Sequence, residues 1–309
     1  LKSGREEEMR RPFEKILAEF PQSSHASEAL YMLAWQDDQA GNEERALQEY
    51  ARLVRDYPGA AKWEAARQRV AVGYMKTGQF DRAMPIFASI FEDDEQAAKI
   101  GPEVYFEVAI HASERGRHDV ALRVLRRVAE VHTRDEILER ALIEQGRELV
   151  ALQQWQEASD CANRFLEKFP NSQFQPEAHW IRARSLQGQN HYDDAAKAFE
   201  KSLQTLANMG SPDKLFQATL HLDRGKLLQT RGQPEQALKE FLYVDILFPD
   251  PRTSPEALLH ASQCQEELGR EEEARKSLEQ LISQYPESSQ AGQAQVRLRY
   301  LQNRQSSSQ

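Results

Sequence analysis

The chain has 309 residues, 40% of them hydrophobic and 29% charged, the balance of an ordinary folded globular protein. Its formal net charge of -9 argues against general nucleic-acid binding, which needs a basic surface. No run of about 18 apolar residues occurs, so nothing in it is expected to span a membrane as a helix.

Residues 5–20 open the chain with Met9, Phe13, Ile16, Leu17 and Phe20 at helical spacing. Pro21 stops this helix, and Ser23 and Ser24 suit the cap of the next. That helix, roughly 25–40, turns Leu30, Leu33 and Ala34 inward; its partner follows Gly41 and runs to Tyr57 and Pro58. The next pair is predicted at about 61–77 and 80–92. Two junctions then differ: Asp93, Asp94, Gly101 and Pro102 break one, and Thr133, Arg134 and Asp135 break the other. Further on, Leu206–Asp213 holds about five extra residues, expected as a longer loop or as extended helix ends. The last helix, 289–303, carries Gln293, Gln295, Arg297, Arg299 and Gln302 and reads as a polar cap. Residues 304–309 are expected to be a disordered tail. Because the chain opens at Leu1 on what reads as the second helix of a pair, a longer parent protein is expected.

One phrase recurs throughout: a tight turn, an amphipathic helix, then a stop. Gly269 leads to Ala274, Leu278, Leu281, Tyr285 and Pro286; Gly41 leads to Ala46, Tyr50, Leu53, Tyr57 and Pro58. The seven alanines Ala46, Ala83, Ala121, Ala158, Ala195, Ala237 and Ala274 stand 37, 38, 37, 37, 42 and 37 residues apart. A fixed period of about 20–50 residues marks a stacked repeat protein. The sequence resembles the tetratricopeptide repeat family along almost its full length. Twelve residues before each alanine, where that family carries a small residue, stand Ala34, Ala71, Ala109, Gly146, Ala183, Gly225 and Ser262. The family's first-helix tryptophan is absent. The resemblance implies an all-α solenoid, a right-handed superhelix of antiparallel helix pairs. Residues 1–22 would form a half repeat, 23–287 seven repeats in one domain, and 288–303 a capping helix.

Five junctions read aromatic–proline, then alanine eight residues after the proline: Pro21 and Ala29, Pro58 and Ala66, Pro170 and Ala178, Pro249 and Ala257, Pro286 and Ala294. The proline ends one helix and the alanine lets the next pack closely. This phrase is similar to that of bacterial cell-envelope tetratricopeptide proteins of the BamD and CpoB kind. It implies a scaffold in the periplasm or at the outer membrane; a cytoplasmic location is the alternative.

The resemblance also says which residues face the groove. Fifteen before each alanine stand Tyr31, Gln68, Phe106, Ile143, Trp180, Leu222 and Leu259; eleven before stand Trp35, Val72, Ile110, Arg147, Arg184, Lys226 and Gln263. Tyr31, Trp35, Phe106, Ile110 and Ile143 are the apolar part of the expected partner-binding groove. Arg147, Arg184 and Lys226 form a basic stripe with Trp180 as its apolar anchor. Such a stripe suits an acidic or carboxylate-bearing protein segment. The competing reading pairs these cations with Glu144, Glu148 or Glu177. Tyr31 and Trp35 stand where chaperone-binding relatives carry lysine and asparagine, which argues against a chaperone adaptor.

Chemistry is not expected. The eight histidines are scattered, no zinc or phosphate-loop spacing occurs, and Cys161 and Cys264 read as buried free thiols. The predicted catalytic residues, metals and cofactors are therefore none. The expected function is a non-enzymatic scaffold that binds a protein or peptide segment. A sugar-binding or ligand-sensing module that stacks sugars on Tyr31, Trp35, Phe106 and Trp180 is a second reading. Self-assembly through stacked end helices, giving a homo-oligomer, is a third.

Overall fold

The computed structural model describes residues 2–210 and 213–307, with side chains described for 9–210 and 213–304. Among the described residues there are helices and no strands. In chain order they are α1 (Lys2–Glu19), α2 (Ser24–Ala40), α3 (Glu43–Asp56), α4 (Trp63–Lys76), α5 (Phe80–Phe91), α6 (Asp94–Lys99), α7 (Pro102–Glu114), α8 (His118–Val131) and α9 (Asp135–Ala151). There follow α10 (Trp155–Lys168), α11 (Gln175–Gly188), α12 (Tyr192–Met209), α13 (Lys214–Thr230), α14 (Pro234–Leu247), α15 (Ser254–Glu267), α16 (Glu271–Gln284) and α17 (Ser289–Ser307). The chain forms two compact units, residues 1–141 and 142–309.

Within each unit, neighbouring helices pack as the repeat predicts. In unit 1 the pairs are α2 with α3, α4 with α5, and α7 with α8; in unit 2 they include α11 with α12, α13 with α14, and α15 with α16. All seven repeat alanines are buried. One turn beyond six of them lies a larger residue that fills the space between helices, Tyr50, Phe87, Leu125, Phe199, Phe241 and Leu278; in α10 that place is Ala162, and Phe165 fills the space two turns beyond Ala158, all of them buried.

Each pair is joined by a turn whose last helical residues give way to a left-handed backbone. Gly41, Gly78, Gly116, Gly232 and Gly269 take positive φ there, as a glycine does without a Cβ penalty. The two repeats without that glycine keep the conformation: Gln153 has φ 57 and Asn190 has φ 63. The turn geometry therefore survives loss of the residue that favours it, at a cost of about 1 kcal/mol for a glutamine.

Two elements differ from the sequence expectation, and at 206–213 extended helix ends hold over a longer loop. The junction at 93–102 is not a bare loop but holds α6. Asp93 caps it by accepting from the Gln96 backbone N–H at 2.9 Å. The Tyr105 hydroxyl donates to the Ala97 carbonyl at 2.9 Å, tying α6 to α7. The six residues of α6 are too few to show a helical period. The extra residues near 206–213 are mostly helix, since α12 runs to Met209 and ends on Gly210 at φ 61; residues 211 and 212 lie outside the described residues. Finally, α17 runs to Ser307, through most of the expected tail, while 308 and 309 lie outside the described residues.

Candidate partner-binding face

The first helices of the pairs carry the expected groove positions. In unit 1, Tyr31 on α2 is half-buried and meets Tyr50 edge-on at 5.4 Å. Trp35, one turn on, is exposed, as is Ile110 on α7. Phe106 is buried, with the Arg140 guanidinium 4.0 Å from its ring centre. In unit 2, Ile143, Leu222 and Leu259 are buried too.

These burials divide the expected groove positions into packed and open ones. The position fifteen before the repeat alanine is largely a packing position, so Phe106 and Ile143 are not available to a partner. The position eleven before it stays open: Trp35 and Ile110 are exposed, and Val72, Arg147, Arg184, Lys226 and Gln263 are partly exposed. A side chain on a helix covers surface toward its N-terminus, so a shift of four residues moves it one turn along the same face. Here that turn separates a seam between helices from an open rim.

The basic stripe of unit 2 is a ladder of ion pairs. Arg147 on α9 binds Glu144 at 3.1 Å and reaches Glu177 on α11 at 2.5 Å. Trp180 Nε1 donates to buried Asp223 of α13 at 2.8 Å. The same carboxylate faces Arg184 at 3.6 Å and Lys226 at 3.8 Å. Lys226 also meets Glu256 of α15 at 2.6 Å. Burial works against the Arg147 charge, but Glu177 and Glu144 outweigh it and raise its pKa above the ordinary arginine value. Burial likewise lifts the Glu177 carboxyl, more than Arg147 lowers it. His260 and Lys226 together hold Glu256 well down, at about 2. Every cation of the expected stripe thus has a carboxylate partner, and Trp180 is engaged by Asp223. Glu177, Asp223 and Glu256 each also reach back to the preceding helix pair, to Arg147, Trp180 and Lys226 respectively.

The last first-type helix offers what the ladder does not. Between α15 and α17 lies a cleft of about 500 Å³, lined by Leu259, Gln263, Glu266, Gln293, Val296, Arg297 and Tyr300. Val296 and Tyr300 are both exposed. Arg297 pairs with Glu266 at its edge. Neither apolar residue was expected in the groove, because α17 reads as a polar cap. The signal was present: Ala294 follows Pro286 by eight, as Ala29 follows Pro21, which puts Val296 and Tyr300 at the places of Tyr31 and Trp35. The residues at the places of Leu30 and Ala34 are Gln295 and Arg299, both exposed. The polar-cap reading holds for that side of α17 alone.

No group of three or more histidine, cysteine or acidic side chains placed to hold a metal ion occurs among the described residues. No helix among them is long and apolar enough to cross a membrane.

Comparison with known proteins agrees with this geometry. Profiles described as tetratricopeptide repeat match residues 28–60 and 256–288, and a second such profile matches 143–208. Among solved structures, a tetratricopeptide repeat protein from Parabacteroides merdae superposes with a TM-score of 0.57 at 15% identity, over 90% of this chain and 99% of that one. Yeast Tom70 gives 0.55 at 14% identity, over 97% of this chain and 59% of that one. A thermophilic protein of Thermus thermophilus gives 0.50 at 16% identity, over 65% and 98%. At these identities the likeness is one of fold. No curated protein matches the chain. The chain thus carries tetratricopeptide repeats in an all-α fold of paired helices. Such stacks present extended surfaces for binding other proteins.

Proposed function

We propose that this protein is a non-enzymatic scaffold that holds a segment of a partner protein on the first-helix face of unit 2. The observation that carries this reading is the cleft between α15 and α17, where exposed Val296 and Tyr300 stand beside Leu259. An apolar partner side chain fills the cleft. The ladder from Arg147 to Glu256 offers paired charges to the polar groups of the same segment. Tyrosine is favoured at binding hot spots because its ring buries area while its hydroxyl keeps a hydrogen bond. An acidic segment has to compete with Glu144, Glu177, Asp223 and Glu256 for the same cations. An uncharged segment with one large apolar anchor is therefore the better fit.

The aromatic–proline junctions support a place in a bacterial cell-envelope complex, at the periplasm or outer membrane. The sugar-stacking alternative loses two of its four rings, since Phe106 is buried and Trp180 is bonded to Asp223. The test is a photo-crosslinker placed at Tyr300 in cells, with a second at exposed Arg164 on α10 as control, followed by fractionation. A defined protein trapped from position 300, lost on Val296→Asp and found in the envelope fraction, is the expected result. Equal trapping from both positions overturns the site; a cytosolic partner overturns the location alone.

A further inference from the structure

The seven repeats act as controls for one another on the outward side of their second helices. Six residues after each repeat alanine stand Arg52, Ser89, Arg127, Arg164, Lys201 and Gln280, but Tyr243 in α14. Nine after it stand Arg55, Glu92, Glu130, Glu167, Gln204 and Ser283, but Ile246. Ten after it stand Asp56, Asp93, Val131, Lys168, Thr205 and Gln284, but Leu247. Tyr243, Ile246 and Leu247 are 46%, 67% and 54% exposed. One helix thus turns three large apolar side chains to water where its six counterparts place mostly polar ones. The inward side of α14 is complete, with Ala237, Phe241 and Val244 fully buried; Tyr243 meets His221 edge-on at 5.6 Å, but that contact leaves it 46% exposed and does not account for Ile246 and Leu247.

We infer that α14 is the contact through which two copies of this chain associate, packed antiparallel about a two-fold axis. The stripe is self-complementary in that arrangement. Laying α14 on a second α14 with the axis between Val244 and Asp245 sets Tyr243 against Ile246 of the other copy, twice over, and Leu247 beside Leu242. Lys239 at one end then faces Asp250 at the other, where it shares the carboxylate with Arg252, bonded to it at 2.7 Å. Antiparallel packing also sets each helix N-terminus beside the other's C-terminus, the favourable sense for their dipoles. An isologous contact of this kind closes at two copies. It covers one helix face rather than a standard interface of roughly 1,600 Å², so association belongs at micromolar concentration or weaker. It lies on the second helices and is independent of the cleft between α15 and α17.

Sedimentation of the whole chain across about 1–500 μM tests this, beside Ile246→Glu and an equimolar mixture of Tyr243→Cys and Ile246→Cys. Expected are a monomer–dimer equilibrium, its shift by at least about tenfold in concentration for Ile246→Glu with unchanged melting, and a mixed disulfide in preference to either homodimer. A strict monomer throughout, a dimer indifferent to Ile246→Glu, or no preference for the mixed disulfide overturns the inference. Unchanged helicity of Ile246→Glu keeps the result from reflecting misfolding, since that side chain is exposed.

Discussion

Gly225 on α13 lies directly against the ring of Phe241 on α14. A Cβ at Gly225 would come 2.5 Å from Phe241 Cε1 and 2.9 Å from two further ring carbons. Phe241 is fully buried and rigid, so it cannot swing aside. Gly225→Ala gains about 1 kcal/mol of helix propensity but overpacks this contact. The expected net effect is a loss of about 1–3 kcal/mol, and Gly225→Leu loses more. Urea unfolding measures it; equal or greater stability of the alanine variant would show that the two helices separate freely.

The two turns that lack glycine differ in what replaces it. Gln153 adopts its left-handed backbone without a described side-chain hydrogen bond, whereas Asn190 accepts from the Tyr192 hydroxyl at 2.7 Å. Gln153→Gly relieves strain but loosens the unfolded chain, and a net gain of roughly 0.5 kcal/mol is expected. Asn190→Gly gives up the tyrosine bond and is expected to give no gain. Melting of the two variants side by side checks this, and a gain at Asn190 as large as that at Gln153 would contradict it.

Glu256 titrates low because His260 and Lys226 favour its charged form, so its pKa falls from 4.5 to about 2 in the folded chain. A depressed carboxylate contributes stability above its unfolded pKa and loses it as pH falls toward the folded one. A third of this side chain is exposed, so solvent screening trims the contribution to about 1–2 kcal/mol. Glu256→Gln is therefore expected to destabilise by that amount at pH 7 and to converge on the parent between pH 4.5 and pH 2. A difference that does not shrink on acidification would mean that size and hydrogen bonding, not charge, hold this contact.

Both cysteines are buried thiols outside any disulfide. Burial pushes the Cys264 thiol up to about 12. Cys161 donates to the Leu142 carbonyl at 3.2 Å. A thiol reagent at pH 8 is expected to modify neither within minutes and both after unfolding. Rapid labelling of the native protein would show opening of α10 or α15.

The fold was legible because seven copies of one phrase fall in phase, and a period read over that length survives the loss of any single residue, as at Gln153 and Asn190. The groove was legible only in part. Helical spacing tells which face a residue shares but not whether a neighbouring helix covers it, and this separates buried Phe106 from exposed Ile110 one turn later. The partners of the cations were less legible still. Glu144 and Glu177 stood among the carboxylates weighed against the stripe, but Trp180 with Asp223 and Lys226 with Glu256 cross from one pair to the next and no spacing along one helix marks them. Val296 and Tyr300 were hidden by the glutamines and arginines around them, although the junction register marked their place.

The ladder running from Arg147 to Glu256 ties consecutive first helices of unit 2 by charge in addition to their apolar packing. Removing ions from water becomes less costly as water warms, whereas the gain from burying apolar surface levels off. On heating, these rungs supply a growing share of what holds the face together, so its geometry is better kept near the melting temperature than apolar contacts alone would allow. Concentrated salt acts in the opposite sense and loosens that face first.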